Sequence, residues 1–320
     1  MPARCLSPRP LGSSGLEVSA LSLGSWRTFE HVSQETGSAI LAAAREEGIN
    51  FFDDARYNDE TGKAPIPSGY SEILFGELFR AAGVRRDEVV VANKLWWEFW
   101  PQQNATAELD ASLRRMGFDY VDLIYANPPP EGLAIGDLVA AVAGLVSSGK
   151  ARAWAVVNWA AEDCGQAVEA AASLGVPAPC AAQLPYSLVR RSWVEDPVMT
   201  GALTAAGAGV VASFCLEGGV LSGKYLPGAA AGRAAGTLSD PRVAPAVTAA
   251  GELTALATEL GTTAAALALS FPLTNPAVAS VLFGATSPRQ LRANCAAAGL
   301  RNRLSDSDIA QLQRIGVPGP

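Results

Sequence analysis

Three side chains of the sequence could act together as a proton donor. Asp53 and Lys94 each follow a short apolar run, and Tyr57 lies close behind Asp53. A buried ammonium beside a phenol favours the phenolate, so Lys94 is expected to lower the pKa of Tyr57 from about 10. The Asp53 carboxylate would keep the lysine charged and oriented. Such a tyrosine can give a proton to an alkoxide that forms as hydride reaches a carbonyl carbon.

Further polar residues stand at the ends of other apolar runs. They are Asn127, Asn158, Gln183 and Ser213. If the runs are parallel strands of one sheet, their carboxyl ends share one edge, and the polar groups converge there. The competing interpretation of Asp53 and Lys94 is an ordinary ion pair at the rim of the fold.

The apolar runs alternate with amphipathic segments, which is typical of repeated β-α units and a mainly parallel sheet. The eight predicted strands are residues 20–23, 49–52, 88–92, 121–125, 153–157, 180–184, 209–212 and 279–282. Eight such units predict an α/β fold, a (β/α)8 TIM barrel. Its length suits a single domain over residues 1–320.

The connections carry recognisable turn and cap residues. Residues 11–18 contain two glycines and two serines, which predict an N-terminal β-hairpin that caps one end of the barrel. Helices are predicted over 33–47 and 71–82, and another is expected to begin at Asn104 and end at Gly117. Residues 218–245 are rich in glycine, alanine and proline and predict a long functional or mobile loop.

The composition excludes several classes of partner and site. A net charge of −7 leaves no basic footprint for nucleic acid. The sequence contains no uninterrupted apolar run of about 18 residues, so no membrane span is predicted. The five scattered cysteines favour a reducing compartment and hence a cytoplasmic protein. His31 is the single histidine, so a multi-histidine metal site is excluded and no metal is expected. A Ser-His-Asp triad would have to use His31, which makes a hydrolase of that kind a weaker hypothesis.

Tryptophans and phenylalanines recur in the segments that follow the predicted strands. Core packing explains some of them. A cluster at the barrel mouth would instead form walls for a bulky or ring-shaped substrate, such as a sugar or a polycyclic ketone. His31 follows the first strand and could line the same pocket or be incidental. The predicted substrate-binding residues are Trp26, His31, Trp96, Trp97 and Trp159.

A series of longer segments, in order through nearly the whole chain, carries a family resemblance. They are LGSSGLEVSALSLG (11–24), NFFDDARY (50–57), SE (71–72), VVVANK (89–94), YVDLIYANPP (120–129), NW (158–159), QLPYS (183–187), GGVLSGKY (218–225) and LFGATSPRQLRAN (282–294). Together they resemble the aldo-keto reductases. The resemblance implies a barrel that binds NADP(H), with NAD(H) possible, and reduces a carbonyl compound.

The resemblance assigns roles to four residues. Asp53, Tyr57 and Lys94 match the catalytic aspartate, tyrosine and lysine, and Asn127 stands where the family usually has histidine. This asparagine resembles the potassium-channel β subunits within the family. An amide can orient a carbonyl through its N–H but cannot act as a protonated imidazole, so we expect slow or specialised turnover.

The sequence also departs from the family pattern. Tyr57 lies four residues after Asp53, where five is usual, and an insertion at 59–69 follows, so Tyr70 is the alternative proton donor. Val157 replaces a serine, which removes one expected contact to the cofactor carboxamide. At the seventh strand, SFCL (213–216) replaces an aromatic-Ser-Pro-Leu pattern, so the ring that stacks on the nicotinamide is expected to be displaced or lost.

The segment around Ser287 and Pro288 reads as a loop that enters a capped helix, whose free N–H groups suit a phosphate. Arg289 could meet a 2′-phosphate, which favours NADP over NAD, and Lys224 could reach the pyrophosphate. The GxxxxGK match that ends at Lys224 is not a P-loop, because Tyr225 follows where Ser or Thr is needed. The predicted cofactor-binding residues are Asn158, Gln183, Ser213, Phe214, Leu216, Gly218, Lys224, Gly284, Thr286, Ser287, Arg289, Gln290 and Asn294.

Three functions remain open at this point. The first is an NADP-dependent reductase whose partner is a small-molecule ketone or aldehyde, with Tyr57 as proton donor. The second is a cofactor-binding regulatory protein with vestigial activity, which Asn127 and the altered seventh strand favour. The third is a reductase of an imine or a conjugated alkene. No sequence feature predicts an oligomeric state.

Overall fold

The computed structural model describes residues 8–226, 236, 238 and 240–316. Eight parallel strands form a closed barrel, in which each strand pairs with its neighbours in chain order and the last pairs with the first. Closure is made by Val281 opposite Leu21. The strands are β3 (Leu21–Gly24), β4 (Phe51–Asp53), β5 (Val90–Leu95), β6 (Val121–Ala126), β7 (Ala151–Val157), β8 (Ala181–Pro185), β9 (Gly209–Ser213) and β10 (Val278–Phe283). The predicted TIM barrel is confirmed.

Every predicted run overlaps an observed strand, but one boundary differs in a way that matters for the site. The third run was expected to end at Ala92, whereas β5 continues to Leu95 and includes Asn93 and Lys94. Both polar side chains are buried inside the strand because each has a buried partner: Asn93 donates to Glu72, and Lys94 pairs with Asp53. A polar residue therefore did not mark the end of this strand.

The N-terminal hairpin lies across the opposite end of the barrel from the strand ends that carry the polar residues. It consists of β1 (Arg9–Pro10) paired antiparallel with β2 (Glu17–Val18), joined through a 3-10 turn at Gly12–Ser14. Leu11 and Val18 are fully buried and belong to the hydrophobic cluster of Phe51 and Leu123, which face the barrel interior. The hairpin closes this end, as the turn residues predicted.

Gly12 is required by a close backbone approach. Its φ is +53°, and a Cβ there would overlap the Cys180 carbonyl oxygen and lie 2.6 Å from the Gly207 carbonyl oxygen. We expect Gly12→Ala to lower the free energy of unfolding by about 3 kcal/mol, since it combines left-handed strain with overpacking. Urea denaturation measures the loss. Gly15→Ala is the control, because Gly15 has φ +74° with no atom within 4 Å of its Cβ position. Equal losses in both variants would show that the close approach is unimportant.

Helices cover the outside of the barrel, and their ends follow the predicted caps. Ser33 accepts from the Thr36 N–H at the start of α1, Asn104 accepts from the Ala107 N–H at the start of α3, and left-handed Gly117 ends α3. The helices are α1 (Gln34–Glu46), α2 (Tyr70–Ala81), α3 (Ala105–Met116), α4 (Ile135–Ser147), α5 (Ala161–Leu174), α6 (Ser192–Glu195), α7 (Pro197–Ala206), α8 (Ala244–Glu259), α9 (Ala264–Ser270), α10 (Pro288–Arg301) and α11 (Asp306–Arg314).

The segment predicted as a long loop, 218–245, is partly helical. A 3-10 stretch at Glu217–Ser222 is interrupted by a kink at Gly218 and Gly219, and α8 already begins at Ala244. Residues 227–235, 237 and 239 of this segment lie outside the described part. Within the described residues, no single helix has the length and apolarity needed to cross a membrane. One sharply bent pair, Ala244–Glu259 with Ala264–Thr274, meets those criteria only when its two helices are taken together.

Candidate active site

The carboxyl ends of the strands surround a cavity of about 560 Å³. All four residues predicted to be catalytic line it, namely Asp53, Tyr57, Lys94 and Asn127. Tyr70, the alternative to Tyr57, is not among its lining residues. The barrel therefore brings the predicted groups to one place, because β4, β5 and β6 are adjacent and parallel.

Asp53, Lys94 and Tyr57 are in direct contact. The Lys94 ammonium forms an ion pair with the Asp53 carboxylate and donates to the Tyr57 hydroxyl oxygen at 3.1 Å. The lysine and aspartate side chains are 5% and 2% exposed, respectively. Gln183 Nε2 donates to the other Asp53 oxygen at 2.8 Å. The aspartate thus holds both the lysine and the glutamine, and the lysine holds the phenol.

The pKa of Tyr57 moves opposite to the expectation from the sequence. Burial is the main cause that raises the pKa of this phenol well above 10, and the nearby carboxylates of Asp53, Asp54 and Glu72 raise it further. The expected lowering by Lys94 was wrong, because desolvation and several acidic groups outweigh one ammonium. Tyr57 therefore keeps its proton at neutral pH.

Asp54 is a second buried carboxyl beside the first, and sequence reasoning gave it no role. It is fully buried and accepts from the Ser25 hydroxyl, while its other oxygen has no hydrogen-bond partner. Burial and then the Glu72 carboxylate raise its pKa well above the usual range. Glu72 in turn pairs with Arg115 and accepts from Asn93. The two consecutive aspartates in FFDDAR (51–56) could have indicated this second carboxyl.

Asn127 is tethered to the end of β5. Its backbone N–H donates to the Leu95 carbonyl at 3.1 Å, and its side-chain Nδ2 donates to the same carbonyl at 3.0 Å. The amide plane is therefore oriented by the neighbouring strand while the residue remains on the cavity wall.

Residues within or just after β7, β8 and β9 form a further part of the wall. Asn158, Gln183 and Ser213 all line the cavity. Asn158 has a left-handed backbone with φ of 58°, and its N–H donates to the Gln183 carbonyl at 3.0 Å. The bond from Gln183 to Asp53 leaves only part of its amide for a ligand.

The segment after β9 has an unusual backbone. Phe214, Glu217, Gly218 and Gly219 have φ values of 56°, 47°, 65° and 94°. The Glu217 and Gly219 N–H groups donate to the Phe214 and Leu216 carbonyls, each at 2.8 Å, so this backbone is a tight turn. Gly218, Gly219 and Lys224 line the cavity, as does Leu216. A Cβ on Gly219 would come within 2.9 Å of the Lys224 ammonium nitrogen, so a side chain there would displace this cation.

Glu217 fastens this segment to the loop after β8. Its carboxylate accepts from the Ser187 hydroxyl at 2.7 Å and pairs with Arg190 at 2.8 Å. Sequence reasoning missed it, because an acidic residue within a glycine-rich segment gives no indication of a partner about 30 residues earlier.

The start of α10 supplies the remaining wall. Ser287 caps the helix by accepting from the Gln290 N–H at 3.2 Å, and Pro288 is its first residue, as predicted. Gly284, Thr286 and Gln290 line the cavity. The other predicted residues of this region, Ser287, Arg289 and Asn294, are not among its lining residues.

Two of these residues have features that suit a dinucleotide extending beyond the cavity. Asn294 is 4% exposed, and its side-chain Nδ2 has no hydrogen-bond partner. A buried amide donor without a partner costs free energy unless a ligand or water accepts from it. Arg289 is exposed in the first turn of α10. Lys224 on the cavity wall, the capped start of α10 and the donor of Asn294 together fit the phosphates and polar groups of a dinucleotide.

Aromatic rings line the outer mouth. Trp26 and Trp96 are on the cavity wall, and so is Phe214. The Trp26 and Phe214 ring centroids are 5.4 Å apart, and those of Tyr57 and Trp96 are 6.0 Å apart. Phe214 thus places a ring one position after the residue expected to carry it, so the ring is displaced along the chain.

Three residues predicted to bind substrate do not line the cavity. Trp97 and Trp159 are 3% and 0% exposed, and their indole N–H groups donate to the carbonyls of Asn127 and Ala126. The two indoles lie outside the cavity lining, next to the end of β6, where they donate to main-chain carbonyl oxygens. His31 is exposed in a short 3-10 helix. Position after a strand did not distinguish inward from outward side chains.

The sequence also left several wall residues unassigned to ligand binding. They are apolar or small, so their residue types carried no chemical signal. These residues are Gly24, Val157, Cys215, Gly219, Leu282 and Phe283.

Comparisons with known proteins agree with this architecture. Residues 20–316 match the Aldo/keto reductase family. Proteins from Arabidopsis thaliana and Oryza sativa subsp. japonica, each described as a probable voltage-gated potassium channel subunit beta, are 30% identical to the chain over 320 residues. Each alignment covers 95% of both chains. The predicted resemblance is confirmed, including its potassium-channel β-subunit-like character. The chain belongs to the aldo/keto reductase family.

Proposed function

We propose that this protein is an NADP-dependent oxidoreductase that reduces a ketone or aldehyde. The observation that carries the proposal is the contact of Tyr57 with Lys94, and of Lys94 with Asp53, on the wall of a cavity that also presents Asn158 and Gln183. When bound, the nicotinamide supplies the hydride. Tyr57 supplies the proton to the carbonyl oxygen, and Lys94 orients the phenol.

Each remaining residue has a part in this scheme. Asp53 pairs with Lys94 and holds it in place, and Asn127 helps to place the carbonyl group. Asn158 and Gln183 contact the carboxamide, and Lys224 the pyrophosphate. Arg289 meets the 2′-phosphate, since its exposed guanidinium stands in the first turn of α10, next to the predicted phosphate site. The aromatic mouth suits a partly apolar, ring-shaped substrate.

The raised pKa of Tyr57 predicts the pH dependence of the reduction. The donor acts in its protonated form, and that form is lost only as pH rises through the folded-state pKa. We therefore expect no decline in kcat assignable to Tyr57 between pH 7 and about pH 10. Steady-state rates at saturating NADPH over this range test the prediction. A decline near pH 8 that Tyr57→Phe abolishes would contradict it.

The function itself is tested with the purified chain, NADPH and a panel of activated ketones and aldehydes. We expect NADPH to bind, as followed by its fluorescence, and to be oxidised when a carbonyl is present. NADH is expected to bind more weakly, and Arg289→Leu to reduce that difference. The buried, unpaired cysteines of the described residues, Cys164, Cys180, Cys215 and Cys295, favour a reducing compartment such as the cytoplasm.

A second candidate function is a regulatory protein that binds the cofactor with little turnover. Asn127 favours it, because an amide replaces the usual imidazole, and the names of the two plant relatives point in the same direction. On this hypothesis the chain would associate with a channel subunit. Tight NADPH binding with no reduction across the whole carbonyl panel would support it against the reductase.

A further inference from the structure

The backbone of Tyr57 is not part of a barrel strand. It lies beyond the end of β4 and before α2, outside both elements. Its N–H donates to the Ser71 hydroxyl at 3.1 Å, and its carbonyl accepts from the Gly69 N–H at 2.9 Å. The position of its hydroxyl therefore depends on the segment that follows it.

That segment, residues 58–69, is called the 58–69 loop here and closes on itself. Asn58 and Ser68 form an antiparallel bridge, and the Asp59 N–H donates to the Pro67 carbonyl at 2.8 Å. The Asp59 carboxylate accepts from the Thr61 N–H at 2.8 Å inside the turn. The loop is thus an ordered unit that joins Tyr57 to the start of α2.

Arg56, the residue before Tyr57, ties this unit to the barrel mouth. Its guanidinium donates to the Ser68 hydroxyl at 2.7 Å and forms an ion pair with Glu98, in the loop after β5. The guanidinium carbon also lies 5.2 Å from the centre of the Phe99 ring. The arginine side chain is only 8% exposed, whereas that of Glu98 is 45% exposed.

A guanidinium is seldom buried this far unless its donors are bound. Here its fork joins the 58–69 loop to the loop after β5, and a planar guanidinium can hold both at fixed angles. Lysine, with one point of charge, cannot reproduce that geometry.

We propose that Arg56 is a positioning residue that fixes the Tyr57 hydroxyl against Lys94 through Ser68 and Glu98. The inference deepens the proposed function and rests on it for its kinetic consequence. Arg56 does not line the cavity, so it acts through Tyr57 and not on a substrate. A misplacement of the proton donor by about 1 Å is enough to cost about 100-fold in rate.

The test uses the full chain with Arg56→Lys, and Arg85→Lys as the matched control. Arg85 is 67% exposed and pairs with Asp87 and Glu88 in its own turn. We expect Arg56→Lys to lower kcat by about 10- to 100-fold while the NADPH dissociation constant stays within twofold. Arg85→Lys is expected to leave both unchanged. Ser68→Ala removes one arm, Glu98→Gln removes the charge of the other, and each should cause a smaller loss of kcat.

Two measurements do not require turnover. Hydrogen exchange of residues 57–69 should become faster in Arg56→Lys, while exchange in the barrel strands stays as in the parent chain. A crystal structure of the variant should show the Tyr57 oxygen beyond hydrogen-bond distance from Lys94 Nζ, compared with 3.1 Å here.

The outcomes separate this proposal from the proposed function. If the parent chain reduces no carbonyl, the reductase assignment fails, and the exchange and crystal data still decide the role of Arg56. The role is overturned if Arg56→Lys keeps kcat within twofold of the parent in an active enzyme. It is also overturned if the variant retains the 3.1 Å contact between Tyr57 and Lys94.

Discussion

Tyr57→Phe is expected to lower kcat for carbonyl reduction by about 1,000-fold, within the range found when a general acid is removed. The substitution deletes the hydroxyl that touches Lys94 and leaves the ring and its contact with Trp96 in place. The cavity wall for the dinucleotide is unchanged, so the NADPH dissociation constant should stay within twofold. Steady-state rates and fluorescence titration of the same preparation measure the two quantities.

Tyr70→Phe is the matched control for this experiment. Tyr70 is the other tyrosine that the spacing of the sequence allowed, but it begins α2 and packs against the hydrophobic core. We expect it to retain full activity. If Tyr57→Phe were as active as the parent and Tyr70→Phe inactive, the assignment of the proton donor would be reversed.

Lys94→Met should remove both activity and part of the stability. The buried Asp53 carboxylate would lose its counter-ion, and breaking a buried ion pair from one side typically costs about 3–5 kcal/mol. Tyr57 would at the same time lose the ammonium that orients its hydroxyl. We expect kcat to fall by at least about 100-fold. Urea denaturation and rate measurements at saturating NADPH check the two effects.

The double variant Asp53→Asn, Lys94→Met separates stability from chemistry. The asparagine oxygen can still accept from Gln183, so no buried charge is left without a partner. We expect most of the lost unfolding free energy to return while kcat remains low. Recovery of activity together with stability would mean that Lys94 serves only the fold.

The barrel could be predicted from the sequence because its strands are short, apolar and regularly spaced, and periodicity of this kind depends on burial alone. Cap and turn residues located α3 and the hairpin for the same local reason. The end of β5 was misjudged because Asn93 and Lys94 are polar, and polar residues are buried only when a distant partner satisfies them.

The residues of the candidate site also differ in how far local sequence features identified them. Asp53, Lys94, Tyr57 and Asn127 were identified from residue type and position behind strands, and all of them line the cavity. Trp97 and Trp159 met the same positional criterion but pack behind β6. Which way a loop side chain points is set by contacts with segments far along the chain, and sequence spacing does not contain them.

By itself, then, the sequence determined the architecture, the family and the chemical types gathered at the mouth, since these follow from local pattern and from motifs read in order. Only the tertiary structure decided the electrostatic character of the proton donor. Burial and the carboxylates of Asp53, Asp54 and Glu72 raise the pKa of Tyr57, although the Lys94 ammonium donates to its hydroxyl oxygen. The tertiary structure also revealed Arg56 and Glu217 as anchors, because each binds a partner that only folding brings within reach.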